Sequence, residues 1–323
     1  MPSRPADTYS LVADIGGTNT RVALAEGLTL LPETVKRFRN KDYPGLETVL
    51  TEFLASEGNV DCSGACVAVA GPVRDGVGEL TNLDWRMDKD TLARATRAET
   101  VAILNDLQAQ GHALGYLAAD KLRVIVPTPE HSPQAAKLVV GVGTGFNAAA
   151  VYETGRGRLV TPSEAGHSTM PVRTEADLRL SQYVETFHGV PGVEDVLSGR
   201  GLERIYRWLA EEDGETDEKL AKDIMDAVAD GSDPRSDAAA EVFVRLFGTV
   251  TGNLALIYLP FGGVYLSGGV ARAFAPHLAR LKFDDWFRDK GRFAGFMQTF
   301  GVSVIEDDFA ALTGCASHLA GLD

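Results

Sequence analysis

"LVADIGGTNTRVALA", residues 11–25, sets two apolar runs on either side of Asp14, Gly16, Gly17, Thr18 and Asn19. Leu11–Ile15 is apolar apart from Asp14, and Val22–Ala25 resumes the pattern after the glycines, so the stretch reads strand, tight turn, strand. A glycine turn between two strands brings bare backbone N–H groups close to a ligand, because no Cβ holds the ligand off and unusual φ is tolerated. Phosphate is the expected guest. The turn is not a P-loop, since no Lys-Ser or Lys-Thr follows. It also leads into a second strand, where a dinucleotide fingerprint would open a helix. Asp14 supplies a negative charge suited to a hydrated magnesium ion, which keeps several waters and takes few protein carboxylates. The same carboxylate could instead satisfy turn amides.

Working outward, "YPGLETVLTEFLASEG" spaces Leu46, Val49, Leu50, Phe53 and Leu54 at helical intervals, and Ala65–Ala70 reads as another strand. "TVAILND" runs from Thr100 into Asn105 and Asp106, and "LQAQGHAL" then starts a helix. Two polar residues thus fall at the carboxyl end of a buried strand, where open α/β sheets bind ligands. A carboxylate there could accept a hydroxyl proton while that oxygen attacks a γ-phosphoryl group. Asn105-Asp106 also fits an ordinary helix cap.

"KLVVGVGTGFNAAAVYE", residues 137–153, repeats the opening pattern around Gly143, Thr144 and Gly145, an internal echo that suggests two related lobes. "SEAGH" places Glu164 and His167 three residues apart, and "VEDVLSG" offers Glu194. Carboxylates and an imidazole can grip several sugar hydroxyls through directed hydrogen bonds; metal ligation is the alternative for Glu164 and His167. "AAAEVFVRLFGTVTGNLALIY", residues 238–258, is apolar nearly all round, with Gly248 and Gly252 one turn apart. It reads as a central buried helix, with Arg245 and Asn253 arguing against a membrane span. "GGVYLSGGVARAF" follows as strand, Gly268-Gly269 turn and helix start, while the acidic "EEDGETDEK" reads as a solvated loop.

The whole chain has 323 residues, 45% hydrophobic and 24% charged, enough for a sizeable core in two lobes. A formal net charge of -14 disfavours a nucleic-acid partner, because phosphate-backbone contacts need clustered Lys and Arg. "MPSRPADTYS" lacks the apolar stretch of a signal peptide and no run approaches a membrane span, so a cytoplasmic location is expected. Cys62, Cys66 and Cys315 are too few for a disulfide framework and read as buried small side chains.

Taken in order, "DIGGTNTRVAL", "LTNLDW", "ILND", "GVGTGFN", "SEAGH", "VEDVLSGRGL", "LSGGV" and "DKGRF" resemble the bacterial ATP-dependent glucokinase family, within the actin-like sugar kinase and Hsp70 ATPase superfamily. The resemblance runs from about residue 10 to the C-terminus. It implies an α/β, two-lobed actin-like (ribonuclease H-like) fold in which each lobe carries a mixed β-sheet with flanking helices and the active site lies in the cleft between them. The small lobe would be residues 1–116 plus the C-terminal helix, about 304–323, and the large lobe 117–303.

The resemblance further implies transfer of the γ-phosphoryl group of MgATP to the 6-hydroxyl of D-glucose. Asp106 would be the base, Asn105 would bind the sugar beside it, and Glu164, His167 and Glu194 would hold the remaining hydroxyls. Gly16, Gly17, Thr18 and Asn19, with Gly143, Thr144 and Gly145, would face the ATP phosphates. Asp14 would hold Mg2+ through water, Gly268 and Gly269 would flank the adenosine, and the enzyme would be a homodimer. Three departures stand out: Ala165 replaces the first glycine of a commoner Glu-Gly-Gly-His, Phe146-Asn147 replaces Leu-Gly, and "EDDFAALTG" lacks a Pro-Gly. A kinase of mannose or fructose, or a sugar sensor without catalysis, are the competing readings.

Overall fold

Two sheets share one strand order. A computed structural model describes residues 9–80 and 85–322. The chain divides into a first unit, 1–119 with 155–160 and 307–323, and a second unit, 120–154 with 161–306. Thr81–Asp84 of "LTNLDW" and the first eight residues lie outside the described residues.

In the first unit, β1 (Tyr9–Ile15) and β2 (Asn19–Glu26) form the antiparallel hairpin that the opening stretch predicts. The short β3 (Thr29–Leu30) and β4 (Lys36–Arg39) both pair with β2. "KRFR" buries only Phe38, so its polar edge-strand pattern gave no alternating signal strong enough to read. Helix α1 (Leu46–Ser56) leads to β5 (Cys62–Val69), parallel to β1. A small antiparallel sheet of β6 (Val73–Arg74), β7 (Val77–Glu79) and β8 (Arg86–Asp88) follows. Helix α2 (Lys89–Thr96), β9 (Thr100–Asn105), parallel to β5, and α3 (Asp106–Ala113) complete the order β3-β2-β1-β5-β9.

The period-2 alternation of these strands decides what lies on each face. Leu11, Ala13 and Ile15 pack with Val49, Leu50 and Phe53 of α1, whereas Val12, Cys66 and Leu104 face Ala109 of α3 and Leu312 and Cys315 of the C-terminal helix, Ala310–Ala320. Gly314 of that helix lies so close to α3 that a Cβ would stand 1.7 Å from the Ala109 carbonyl oxygen.

The second unit repeats the pattern. Strands β10 (Leu122–Val126), β11 (Lys137–Val142) and β12 (Phe146–Thr154) are joined later in the chain by β14 (Val264–Ser267) and β15 (Val302–Ile305), while β13 (Gly157–Pro162) has residues 157–160 in the first unit. The sheet order is β10-β15-β14-β11-β12-β13, so β13-β12-β11-β14-β15 reproduces the order of the first sheet. Here too an antiparallel hairpin, β11 and β12, is followed by parallel pairing of β11 with β14 and β14 with β15.

Helices α4 (Glu175–His188), α5 (Val193–Val196), α6 (Gly199–Glu212), α7 (Ala221–Asp230) and α8 (Pro234–Tyr258) lie between the two halves of that sheet in the chain. Helix α8 is long and apolar enough to cross a membrane by length and composition, yet 67% of that window is buried within the fold. Its Phe243 stacks on Phe274 of α9 (Gly269–Phe274) at 4.5 Å. Gly248 and Gly252 let α8 approach the backbone of α10 (Phe283–Arg288), where Cβ atoms would stand 2.9 Å from Phe283 O and 2.4 Å from Phe287 O. The acidic run after α6 is more organised than a solvated loop: Asp213, Glu215 and Asp217 all converge on Arg235 at 2.8–3.3 Å.

Candidate active site

Strand register determines what meets at the carboxyl end of the first sheet. Asp14 stands across from Ala68 and Val69 stands across from Asn105, so Asp14, Asn105 and Asp106 reach the same edge. Asn105 caps α3: its Oδ1 accepts from Leu107 N at 2.9 Å, and its backbone N–H donates to Gln108 Oε1 at 3.1 Å, completing a capping box. The cap reading of Asn105 is borne out. Asn105 Nδ2 also donates to Gly71 O at 3.1 Å, tying the end of β9 to the turn after β5.

Asp106 is the first residue of α3. Burial, and then the negative charge of Asp14, push its carboxyl up to about 6, against the lowering effect of its bonds to Leu107 N–H and Asn105. Asp14 is itself raised by burial, partly offset by Arg21, whose guanidinium lies 3.5 Å from its carboxylate. The turn beside them is braced by Asn40, 1% exposed, whose Nδ2 donates to Gly16 O at 2.7 Å and whose Oδ1 accepts from Thr20 Oγ1 at 2.8 Å. A Cβ at Gly16 would meet nothing nearer than Asn19 O at 3.4 Å. Neither Gly16 nor Gly17 has a positive φ, so backbone conformation is not what calls for glycine here.

Both ends of α3 are held by the segment 155–160. Arg158 donates to the carbonyl oxygens of His112 at 2.8 Å and Leu114 at 2.5 Å, with Gly111 O at 3.5 Å, and Gln108 Nε2 donates to Val160 O at 3.2 Å. A cation at a helix C-terminus satisfies its orphan carbonyls and complements the helix dipole. Replacing Arg158 with Ala is expected to cost about 2–3 kcal/mol of stability, from the loss of charged hydrogen bonds. Denaturant unfolding reads this directly, with Arg158→Lys retaining part of the loss.

The second unit assembles its own group. Glu194, on α5, accepts from Phe146 N–H through Oε2 at 2.9 Å, and a Cβ at Gly145 would stand 2.4 Å from that oxygen. A Cβ at Gly145 would therefore push the Glu194 carboxylate aside. Gly166 is required by close approach to backbone, since its Cβ would stand 2.1 Å from Phe146 O and 3.2 Å from Glu194 Cβ. The turn at Gly143–Gly145, Glu194 and the "SEAGH" loop are consequently knit together. Glu164 and His167 lie on that loop with side chains 65% and 72% exposed and 3.9 Å apart. Gly143 O accepts from Gly199 N–H at 2.9 Å, and a Cβ at Gly143 would find Gly269 N at 3.9 Å, so Gly268-Gly269 borders the same turn. Gly268 has φ +101° against Val142 O, a conformation and a space that only glycine fits.

Among the described residues no three His, Cys, Asp or Glu side chains group as a metal cage. Asn40, Arg158 and Gln108 were not legible as site-bracing residues, because each acts through tertiary hydrogen bonds across long sequence separations. Asn147 did carry a signal, as a polar residue where a glycine is commoner, and it bonds to the "SEAGH" loop.

The Glucokinase family model matches residues 11–322. A glucokinase of Saccharophagus degradans is 32% identical over 313 residues, covering 96% of this chain and 97% of that protein. Among solved structures, a glucokinase from an Antarctic psychrotroph superposes with a TM-score of 0.86 at 30% identity, covering 97% of this chain and 98% of the other. A ROK family glucokinase from Streptomyces griseus, in complex with glucose and AMPPNP, shares the fold with a TM-score of 0.64 at 20% identity, covering 98% and 100%.

Proposed function

Because this chain belongs to the glucokinase family, we propose that it transfers the γ-phosphoryl group of ATP to the 6-hydroxyl of D-glucose, with Asp106 as the general base. Its fold is the actin-like, ribonuclease H-like α/β fold of the sugar kinases, and its activity is that of an ATP-dependent hexose kinase. The observation that most supports the assignment of the base is the raised carboxyl of Asp106 at the first position of α3, beside Asp14 at the same sheet edge.

In the reaction, Asp106 takes the proton of the glucose 6-hydroxyl as that oxygen bonds to the γ-phosphorus, and the bond from phosphorus to the β,γ-bridging oxygen breaks to release ADP. A carboxyl near 6 is ionised at neutral pH yet basic enough to accept the hydroxyl proton, which becomes acidic as the oxygen bonds to phosphorus. Asn105 orients the sugar beside it, and Glu164, His167 and Glu194 hold other hydroxyls. In each unit by itself, a Cβ at Gly16, Gly143 or Gly269 would not clash within the chain, which leaves room for a phosphate against these turns, although the N–H groups of Gly16 and Gly143 already donate to Asn19 O and Gly145 O.

Asp14 would hold a magnesium ion through water, since one partly buried carboxylate suits a hydrated cation that takes few protein ligands. Magnesium would neutralise charge on the β- and γ-phosphates. The protein acts in the cytoplasm, as a homodimer.

Ala165 and Asn147, which alter the loop carrying Glu164, make the choice of hexose the point to test. With ATP fixed, kcat/KM for D-glucose is expected to exceed that for D-mannose and D-fructose, because a site that hydrogen-bonds each hydroxyl disfavours its inversion. Preference for either competitor would reassign the substrate while leaving the phosphoryl transfer in place.

A further inference from the structure

Asn147 lies two residues after Gly145, as the second residue of β12, and its side-chain oxygen is held by two backbone N–H groups. Its Oδ1 accepts from Ala148 N–H at 2.8 Å and Ala165 N–H at 3.0 Å, and lies 3.0 Å from Ser163 Oγ, whose single proton goes either to it or to Ala148 O at 2.8 Å. Backbone N–H groups only donate, so the oxygen must face them and the NH2 must face the other way. There it donates to Glu164 Oε2 over a long 3.5 Å. The one side chain thus holds the loop on either side of Glu164 and presents a donor to the Glu164 carboxylate itself. A glycine at this position could do neither.

We infer that Asn147 is a positioning residue for the sugar site: it braces the Ser163–Ala165 loop and aims the Glu164 carboxylate at the hydroxyl it holds. The inference rests on the assignment of Glu164 as a glucose ligand. It also links the two ligand elements of the second unit, because the strand that leaves the phosphate turn is the strand that steers the sugar carboxylate. Phe146 N–H reaches Glu194 in the same way one residue earlier. Adjacent residues therefore serve both carboxylates, one through its backbone and one through its side chain.

Asn147→Asp separates the two parts of this role. An aspartate keeps an oxygen for Ala148 N–H, Ala165 N–H and Ser163, so the loop remains braced, but it sets a negative charge against Glu164 in place of the donor. KM for glucose is expected to rise about tenfold, with KM for ATP and Tm changed little; coupling energies between touching groups are of this size. Asn147→Gly is expected to raise KM for glucose and also lower Tm, since both parts are lost. The discriminating arm is the Glu164→Gln background, in which the repulsion disappears and the Asn147→Asp penalty should shrink to within about twofold.

An Asn147→Asp enzyme with unchanged KM for glucose, or a penalty of equal size in both backgrounds, would overturn the inference. Should Glu164→Gln alone leave KM for glucose unchanged, the assignment of Glu164 fails and the inference falls with it. That outcome is distinct from the one in which Glu164→Gln raises KM and Asn147→Asp does not.

Discussion

Asp106→Asn is expected to lower kcat by about 10²–10⁴-fold, the usual contribution of a positioned general base, with KM for glucose and ATP changed far less. The amide keeps the size of the side chain and its hydrogen bond from Leu107 N–H, so a loss of that order reports proton transfer rather than misfolding. The unsubstituted enzyme should show the matching pH dependence. Only the ionised carboxylate accepts a proton, so kcat/KM for glucose should fall with unit slope below about pH 6, where Asp106 protonates.

Stability should run the other way. The folded state holds the Asp106 proton more tightly than the unfolded chain, so between about pH 4 and pH 6 ionisation costs the fold free energy as pH rises. Above pH 6 that cost is complete, about 2–3 kcal/mol from a shift of roughly two units. Asp106→Asn, which carries no charge, should therefore be more stable than the parent at pH 7–8 and equal to it near pH 4. Urea unfolding at both pH values measures this. A variant that is both inactive and stabilised is the signature of a catalytic group held at a cost to the fold.

Gly314→Ala is expected to produce the largest loss among single methyl additions in the first unit. Its Cβ would overlap the Ala109 carbonyl oxygen at 1.7 Å, and that oxygen belongs to helix backbone that cannot rotate away. Either the C-terminal helix or α3 must shift. Overpacking of this kind costs about 1–3 kcal/mol, more where backbone must move. Tm should drop by about 5–10 °C, on the basis of 2–4 °C per kcal/mol for a unit of this size. Because α3 carries Asp106, kcat of the folded fraction should fall as well, whereas a clash confined to the surface of the helix would lower Tm alone. Far-UV circular dichroism melts and active-site-normalised kinetics separate the two.

The glycine patterns made the topology legible. Two hairpins with apolar strands around a glycine turn predicted two related sheets, and the strand orders agree. The all-apolar run with Gly248 and Gly252 predicted a buried helix packed through its glycines, which α8 is. Short polar edges such as β4 escaped because neither of their faces is fully buried. At the site, sequence position brought Asn105 and Asp106 to a strand end, but only register shows that Asp14 shares that edge. The reason for each glycine was likewise not legible: Gly145 and Gly166 make room for Glu194 and Phe146, and Gly268 is required by its φ. Gly16 and Gly143 leave space that the chain does not fill. Arg158 and Asn40 brace the site across 44 and 24 residues of chain, a kind of contact that no local pattern announces.

The most direct test of the central claim is ADP release by the purified protein with magnesium and ATP, measured with and without D-glucose, together with 31P NMR of the sugar product. The expected result is ADP release that requires glucose, equals the sugar phosphate formed, and places the phosphate on O6. Absence of release with glucose, or release that proceeds equally without any sugar, would contradict the assignment of this chain as a glucose-phosphorylating enzyme.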